Sequence, residues 1–317
     1  MANLLKDLES LRKFKLHRIL NEDPSTHALT LLGSFDAEDK EGSEPTLSIL
    51  RIEKTPLSAG DADRLVPSLA NVRFIENNDI YTWLFGWLEA SSEKPDVKIN
   101  IISPATDIHI RKYSAQRLIV VNETPELYER IVKPYIAAFP PSRTRWVTDI
   151  LTGKTEAEKV LFKDDCPDYG YLILPDMKWD LTTVSSLYLV AIAFSSNIRS
   201  LRDLRKRHLG MLRSIKREAA RVVKERWGVG RGGLRLFVHY QPSYYHFHVH
   251  IVNANYAGSM GMTVGQAHLL DDIISLLEVD GEGDGRTILE GMTLTYGLGD
   301  QHGLFTAMEG AQDELRE

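Results

Sequence analysis

The alternation of hydrophobic and polar positions changes rhythm along the chain. Ala28–Phe35 and Thr46–Glu53 are alternating or apolar runs flanking the acidic stretch Asp36–Glu44. That pattern predicts a hairpin with a solvated tip. Val72–Glu76, Ile80–Leu88 and Val97–Ile102 continue the β character, and after Pro104 a short helix-like stretch covers Ala105–Tyr113. We place a domain boundary near Tyr113–Gln116, giving an N-terminal domain over residues 1–113 and a larger one over 114–317. In the second part, Pro125–Phe139 and Trp146–Lys154 have helical patterns, Val160–Lys163 and Gly170–Leu174 read as strands, and Leu181–Ser195 has the composition of a buried helix. Leu201–Trp227 is the clearest helix: Leu201, Leu204, His208, Leu212, Ile215, Ala219, Val222 and Val223 recur at three- and four-residue steps. Strands over Leu234–His239 and Tyr245–Asn253 follow, joined by a short Pro-Ser turn. A helix over Thr263–Leu277, a strand over Met292–Tyr296 and a C-terminal helix complete the series. Neighbouring strands with helices to one side predict an α+β fold on an antiparallel sheet, beside a smaller, mostly β N-terminal domain.

Composition narrows the class. A chain of 317 residues with 43% hydrophobic and 26% charged positions is globular, not disordered or fibrous. Its net charge of −6 provides no global field for nucleic acid, so DNA is not an expected partner. The single cysteine, Cys166, can form neither an internal disulfide nor a thiolate zinc site, which suits a reducing compartment. The longest apolar stretch, Leu187–Phe194, falls far short of the ~18 residues a membrane span needs. Met1–Leu20 mixes acids and bases and lacks the apolar core of a signal peptide. The expectation is a soluble protein, cytoplasmic or nuclear, with no membrane partner.

Two signals have ordinary readings. The cluster Gly228-Val-Gly-Arg-Gly-Gly233 would serve as a nucleotide loop only between a strand and a helix. Here a helix precedes and a strand follows, so it reads as a helix C-cap with a turn. Arg199–Arg231 carries twelve basic and three acidic residues. It reads as a solvated helix face, with a positive wall beside a phosphate-rich ligand as the alternative.

Histidine is the dominant signal. Four of ten histidines, His239, His246, His248 and His250, lie within twelve residues. The last three alternate with Phe247 and Val249, which places them on one face of a strand. Imidazoles are poor filling for a hydrophobic core, so a row of three points to chemistry. One possibility is a hydrolytic zinc site; the other is a neutral imidazole that attacks phosphorus. Ser243, Tyr244 and Tyr245 add hydroxyls and amides suited to phosphate oxygens, and His239 lies within cross-strand reach if the Pro242-Ser243 turn closes a hairpin.

His246-Phe-His248-Val-His250-Ile-Val matches the histidine-triad signature. The longer string from His239 to His250 resembles the scavenger mRNA decapping enzymes of that superfamily. Further resemblances run in order: Asn78-Asp-Ile-Tyr81, His109-Ile-Arg-Lys-Tyr113, Arg145-Trp-Val147, Glu156-Ala157, Leu174-Pro-Asp-Met-Lys-Trp179, Ser200-Leu-Arg-Asp-Leu204 and Ala267-His-Leu-Leu270. The resemblance implies hydrolysis of an m7G cap dinucleotide or short capped RNA to 7-methylguanosine monophosphate and a nucleoside diphosphate. It implies a stacking role for Trp146, which suits a cationic purine. Glu156 would accept bonds from the guanine edge. Pro175, Asp176 and Lys178 would contact ribose and phosphates, and Met177 would cover the other face of the base. Asn78, Tyr81 and Lys112 would close over the cap. Gln266 stands where the family often carries an arginine.

From the same resemblance, His248 is the nucleophile, His250 assists the leaving oxygen, and His246 and His239 orient the site. Lys178, Lys112 and protonated imidazoles would supply positive charge, with no metal or cofactor. A homodimer with exchanged N-terminal segments is also implied. The competing classes are another triad hydrolase (a dinucleoside polyphosphate hydrolase or nucleoside phosphoramidase), a three-histidine metal hydrolase, and a cap-binding module without catalysis.

Overall fold

The computed structural model describes residues 8–35, 45–55, 57, 62–89, 95–256, 260–281 and 285–315. The chain divides into two compact units, Met1–Ala115 and Gln116–Glu317.

Among the described residues the first unit includes six strands, β1 (Lys15–Asp23), β2 (Ala28–Phe35), β3 (Thr46–Lys54), β4 (Leu69–Asn78), β5 (Tyr81–Leu88) and β6 (Val97–Ile102), two helical turns at Leu8–Arg12 and Ala62–Leu65, and helix α1 (Asp107–Tyr113). Strands β1, β2, β3 and β6 form one antiparallel sheet in that order. The β2–β3 pairing runs from Ala28 opposite Glu53 to Phe35 opposite Thr46, as the alternation predicts; the tip over 36–44 lies outside the described residues. Leu20, Leu32, Ile49 and Ala105 form the core, with Ile110 and Tyr113 of α1 packed against it. Strand β1 was not foreseen because only Leu20 of its nine residues is buried, and the charged remainder hides its period. A separate hairpin, β4–β5, turns at Asp79 in the left-handed region (φ 54°). All its residues are exposed, Val72, Phe74, Trp83, Phe85 and Trp87 included.

The second unit contains β7 (Leu118–Glu123), α2 (Arg145–Leu151), β8 (Phe162–Asp164), β9 (Tyr171–Pro175), β10 (Tyr188–Ala193), α3 (Leu209–Trp227), β11 (Leu234–His239), β12 (His248–Asn253), β13 (Ala267–Leu269), α4 (Leu270–Val279), β14 (Leu294–Gly299) and α5 (Phe305–Glu314). Six strands make an antiparallel sheet in the order β13-β11-β12-β10-β9-β8, and β7 pairs separately with β14. Side chains alternate across the sheet. Ile173, Leu189, Val249 and Ile251 share one core with Leu212, Ile215, Ala219 and Val223 of α3. On the opposite face, Leu172, Leu174, Val190 and Ile192 pack beneath Val147 and Ile150 of α2. Helices therefore lie on both faces, not on one as the pattern suggested. The α2 face is the functional one, because His248 and His250 are the register partners of Ile192 and Val190.

Three further expectations are corrected. Leu181–Ser195 is not a helix: β10 occupies its centre, a strand buried on both faces, whose continuous apolar run resembles a buried helix. The helix expected over Leu201–Trp227 begins at Leu209. Before it, a 3₁₀ turn at Leu201–Asp203 is capped by Ser200 and Asp203, and Leu204 is extended. The helix expected over Thr263–Leu277 is strand β13 followed by α4. Gly228 ends α3 with φ 71°, a conformation that glycine adopts without a Cβ clash, so the glycine cluster is a helix stop. Part of the basic surface of α3 is ion-paired in place. Arg213 pairs with Glu278, Lys216 with Asp271, and Arg217 and Arg221 with Glu218.

Candidate active site

The β11–β12 ladder ends with Phe237 opposite His250, and His239 then pairs with Ala267 of β13. The chain leaves the sheet after His239 and returns at His248, so residues 240–247 form a loop, not the tight turn the sequence suggested. This places three of the four histidines together. The His239 and His250 rings lie 4.2 Å apart by their centroids, and those of His248 and His250 4.8 Å. His246 precedes the strand and is separate: its Nε2–H donates to the Ala193 carbonyl at 2.7 Å.

The ring nitrogens are differentiated by their partners. His248 Nδ1–H donates to the His246 carbonyl at 2.8 Å, which leaves the Nε2 lone pair free. His250 Nδ1 shares a 3.0 Å hydrogen bond with the Tyr188 hydroxyl. Nε2 of His239, His248 and His250 is buried without a partner in each case. Burial also sets the charge. Desolvation pushes the His248 pKa down to about 4, assisted by the positive charge of Lys178 and opposed by the bond to His246. Desolvation likewise holds His239, His246 and His250 below the usual imidazole value. The rings are neutral at pH 7, so protonated imidazoles do not supply the positive field in the resting site. With its Nδ1 proton committed, His248 offers Nε2 as a neutral nucleophilic nitrogen.

Tyr244 lies flat on His248, with centroids 4.2 Å apart and planes 11° from parallel. Trp146, at the start of α2, meets Tyr244 edge-on at 4.9 Å and remains 45% exposed, with indole surface left to stack a ligand. Pro175 ends β9. Asp176 N–H then bonds the Tyr188 carbonyl, and the Asp176 carboxylate accepts from Lys178 N–H at 2.9 Å. Lys178 Nζ sits 5.3 Å over the Tyr188 ring, and Met177 is fully exposed. Ser243 is exposed on the loop. Glu156 has left-handed backbone (φ 57°), and its carboxylate pairs with Lys159 at 3.5 Å. Gln266 is turned away, its Nε2 donating to the Gly297 carbonyl at 2.7 Å.

The chain matches two family descriptions: the scavenger mRNA decapping enzyme (DcpS) N-terminal region over residues 9–116, and the scavenger mRNA decapping enzyme C-terminal binding region over 145–265. It belongs to the scavenger mRNA decapping enzyme family. It is 37% identical over 301 residues to a Schizosaccharomyces pombe protein named m7GpppX diphosphatase, covering 94% of this chain and 95% of that one. Proteins of the same name from Mus musculus and Homo sapiens are each 33% identical, covering 95% and 84% of this chain and 86% and 78% of theirs. The C-terminal decapping-family match encloses Trp146, Glu156, residues 175–178 and all four histidines. The N-terminal match encloses Asn78, Tyr81 and Lys112.

Those last three lie in the first unit. Asn78 and Tyr81 are register partners at the β4–β5 turn, and Tyr81 stacks with Trp83 at 6.1 Å. Lys112 on α1 lines a polar cavity of about 140 Å³ with Asp23, Thr30 and Arg51.

Sequence reasoning missed the support beneath the decapping-family loop. Glu123 of β7 and Arg202, both fully buried, form an ion pair at 2.8 Å. Glu123 also accepts from the hydroxyls of Tyr240 (2.6 Å) and Tyr296 (2.7 Å) and from Gln241 Nε2 (3.1 Å). Gln241 Oε1 accepts from the Tyr245 hydroxyl at 3.0 Å, joining the two ends of the segment that carries Ser243 and Tyr244. Arg202 stands in the quoted Ser200-Leu-Arg-Asp-Leu204 motif and could have been found there. Glu123 carries no local signal.

Proposed function

We infer that the protein hydrolyses the triphosphate bridge of an m7G cap dinucleotide or short capped RNA. The products are 7-methylguanosine monophosphate and a nucleoside diphosphate. The single observation that carries this reading is His248: a neutral imidazole, its Nδ1 proton committed to a carbonyl, its Nε2 lone pair unpartnered, and Tyr244 linking it to the exposed indole of Trp146.

His248 Nε2 attacks the phosphorus next to methylguanosine. The bond to the bridging oxygen breaks, and the nucleoside diphosphate leaves with that electron pair. With the Tyr188 hydroxyl donating to Nδ1, His250 holds its proton on Nε2 and donates a hydrogen bond that stabilises the leaving oxygen, which departs as the diphosphate anion. Water then attacks the phosphorus and releases a proton to solvent, and the P–N bond returns its pair to His248. Lys178, exposed at the edge of the site, supplies positive charge to the phosphates. Trp146 stacks the cationic purine. His239 and His246 orient the site, and Glu156, Pro175, Asp176 and Met177 flank the base and ribose. Asn78, Tyr81 and Lys112 belong to an N-terminal domain that closes over the cap.

The functional partner is a second copy of the chain with exchanged N-terminal segments. The β4–β5 hairpin favours this, because it exposes apolar side chains all along its length; sedimentation would test it.

The decisive experiment incubates the protein with methylated and unmethylated cap dinucleotide in excess chelator and identifies the products, with quenching in alkaline denaturant, where a P–N bond survives, to trap nucleotide on the protein. We expect 7-methylguanosine monophosphate, preference for the methylated cap, and no turnover by a folded His248→Ala variant that still binds cap. Turnover by that variant, or activity lost on chelation, would overturn the assignment.

A further inference from the structure

The three unpartnered nitrogens have a second chemical meaning. One ring nitrogen each from His239, His248 and His250 lies within 4.8 Å of the other two. On each ring Nε2 is the buried nitrogen with no partner. A tetrahedral ion with Zn–N bonds of ~2.0–2.1 Å holds its nitrogens about 3.3 Å apart. Ring movements on the order of an ångström therefore close the set.

On two of the three rings the opposite nitrogen is already tied down, as it is in metal-ligating histidines. His248 Nδ1 is held by the His246 carbonyl and His250 Nδ1 by the Tyr188 hydroxyl. The Tyr188 hydroxyl can accept as well as donate, so the His250 proton can sit on Nδ1 and free Nε2.

We propose that His239, His248 and His250 form a reversible inhibitory site for a borderline transition-metal dication such as zinc. Three imidazoles bind the ion, water takes a fourth position, and binding excludes the capped substrate. The metal occupies the lone pair that attacks phosphorus, so the same atom cannot serve both. The positive charge of Lys178 opposes the ion and leaves affinity below that of a closed structural zinc site, within reach of a chelator. Magnesium and calcium, which take oxygen ligands, do not compete for three imidazoles. The inhibition rests on His248 being the nucleophile, as inferred above; the binding does not.

Cobalt(II) titrated into the full-length protein, without substrate, tests the binding. We expect the intense visible bands of a tetrahedral ion at one equivalent, bleached by zinc and by chelator, and at least tenfold weaker binding in His239→Gln. A non-hydrolysable methylated cap analogue should displace the cobalt, a readout that needs no variant to fold. In turnover assays zinc should inhibit in competition with cap dinucleotide and be reversed by chelation, with magnesium inert at the same concentration. Absence of the tetrahedral spectrum, binding unchanged in a folded His239→Gln, or cobalt indifferent to the cap analogue would each overturn the site. Bound metal with undiminished turnover would overturn the exclusion. A protein that binds cobalt this way but cleaves no cap would refute the hydrolase reading and leave the metal site standing.

Discussion

Replacing Arg202 with Met tests whether the buried ion pair holds the catalytic unit together. The methionine fills the volume of the aliphatic stem but offers no donor. Glu123 then loses the bonds from Arg202 Nε (3.0 Å) and Nη2 (2.8 Å) while its tyrosine and glutamine donors remain. The carbonyls of Leu289 and Met292 lose their partner as well, at 2.7 and 2.8 Å. Removing one member of a fully buried pair costs about 3–5 kcal/mol, because the other charge stays in a dry interior. That is a large share of the ~5–15 kcal/mol that stabilises a domain. For a unit of this size, each kcal/mol moves Tm by roughly 2–4 °C, so the melt should fall by about 6–20 °C. Urea unfolding followed by tryptophan fluorescence gives the free energy. Glu123→Gln should show a comparable loss. The double variant should cost less than the sum of the two, with a coupling of about 2 kcal/mol or more. A cost below about 1 kcal/mol for Arg202→Met, or strict additivity in the double variant, would refute the argument that the pair acts as a unit.

Other outcomes follow from the same geometry. Trp146→Ala removes the exposed stacking surface, and a cation–π contact worth ~0.5–2 kcal/mol should lower affinity for the methylated cap by about 2- to 30-fold. In equilibrium binding the unmethylated analogue should lose less, and equal losses for both would count against stacking on the cation. Tyr245→Phe deletes the 3.0 Å bond to Gln241 and should cost about 1 kcal/mol of stability. Its kcat should fall while KM changes little, and an unchanged kcat would show that the loop is held without Gln241. Acid should destabilise the protein before its carboxylates titrate. His248 takes a proton near pH 6.5 when unfolded but only near pH 4 when folded. Stability therefore declines as pH drops through that window, by up to about 3 kcal/mol from His248 alone, and the term is flat below it. His208, held near 4 mainly by burial, acts in the same direction. Unfolding free energies that stay level between pH 6.5 and 4.5 would contradict this.

The parts of the molecule legible in sequence are those whose period survives burial on one face only. Helix α3 buries Leu212, Ile215, Ala219 and Val223 at helical spacing and exposes its ion-paired arginines, so its pattern is unmistakable. Strand β10 is buried on both faces and keeps no alternation, which is why Leu181–Ser195 resembles a helix. Within the site, the histidine string reveals chemistry because its spacing is local. The sequence puts His239 within cross-strand reach of the row, but the register that sets it beside His250, with Phe237 opposite His250, belongs to the β11–β12 ladder and not to the string itself. Glu123 is the extreme case: it lies far along the chain from Tyr240, Gln241 and Tyr296, and nothing around it marks the carboxylate they share.

The difference between His246 and His248 shows why spacing alone could not assign roles in the triad. Both are buried, and both have depressed pKa values for the same first reason, desolvation. What separates them is which nitrogen the backbone takes. Ala193 accepts from Nε2 of His246 and so occupies the nitrogen that would face substrate, whereas the His246 carbonyl accepts from Nδ1 of His248 and leaves Nε2 free. One peptide carbonyl thus fixes the tautomer of His248, the proposed nucleophile, and the residue supplying it is the first histidine of the triad. A substitution at position 246 that preserves this main-chain oxygen should preserve the tautomer of His248. The imidazole of His246 anchors the loop to β10 through the Ala193 carbonyl.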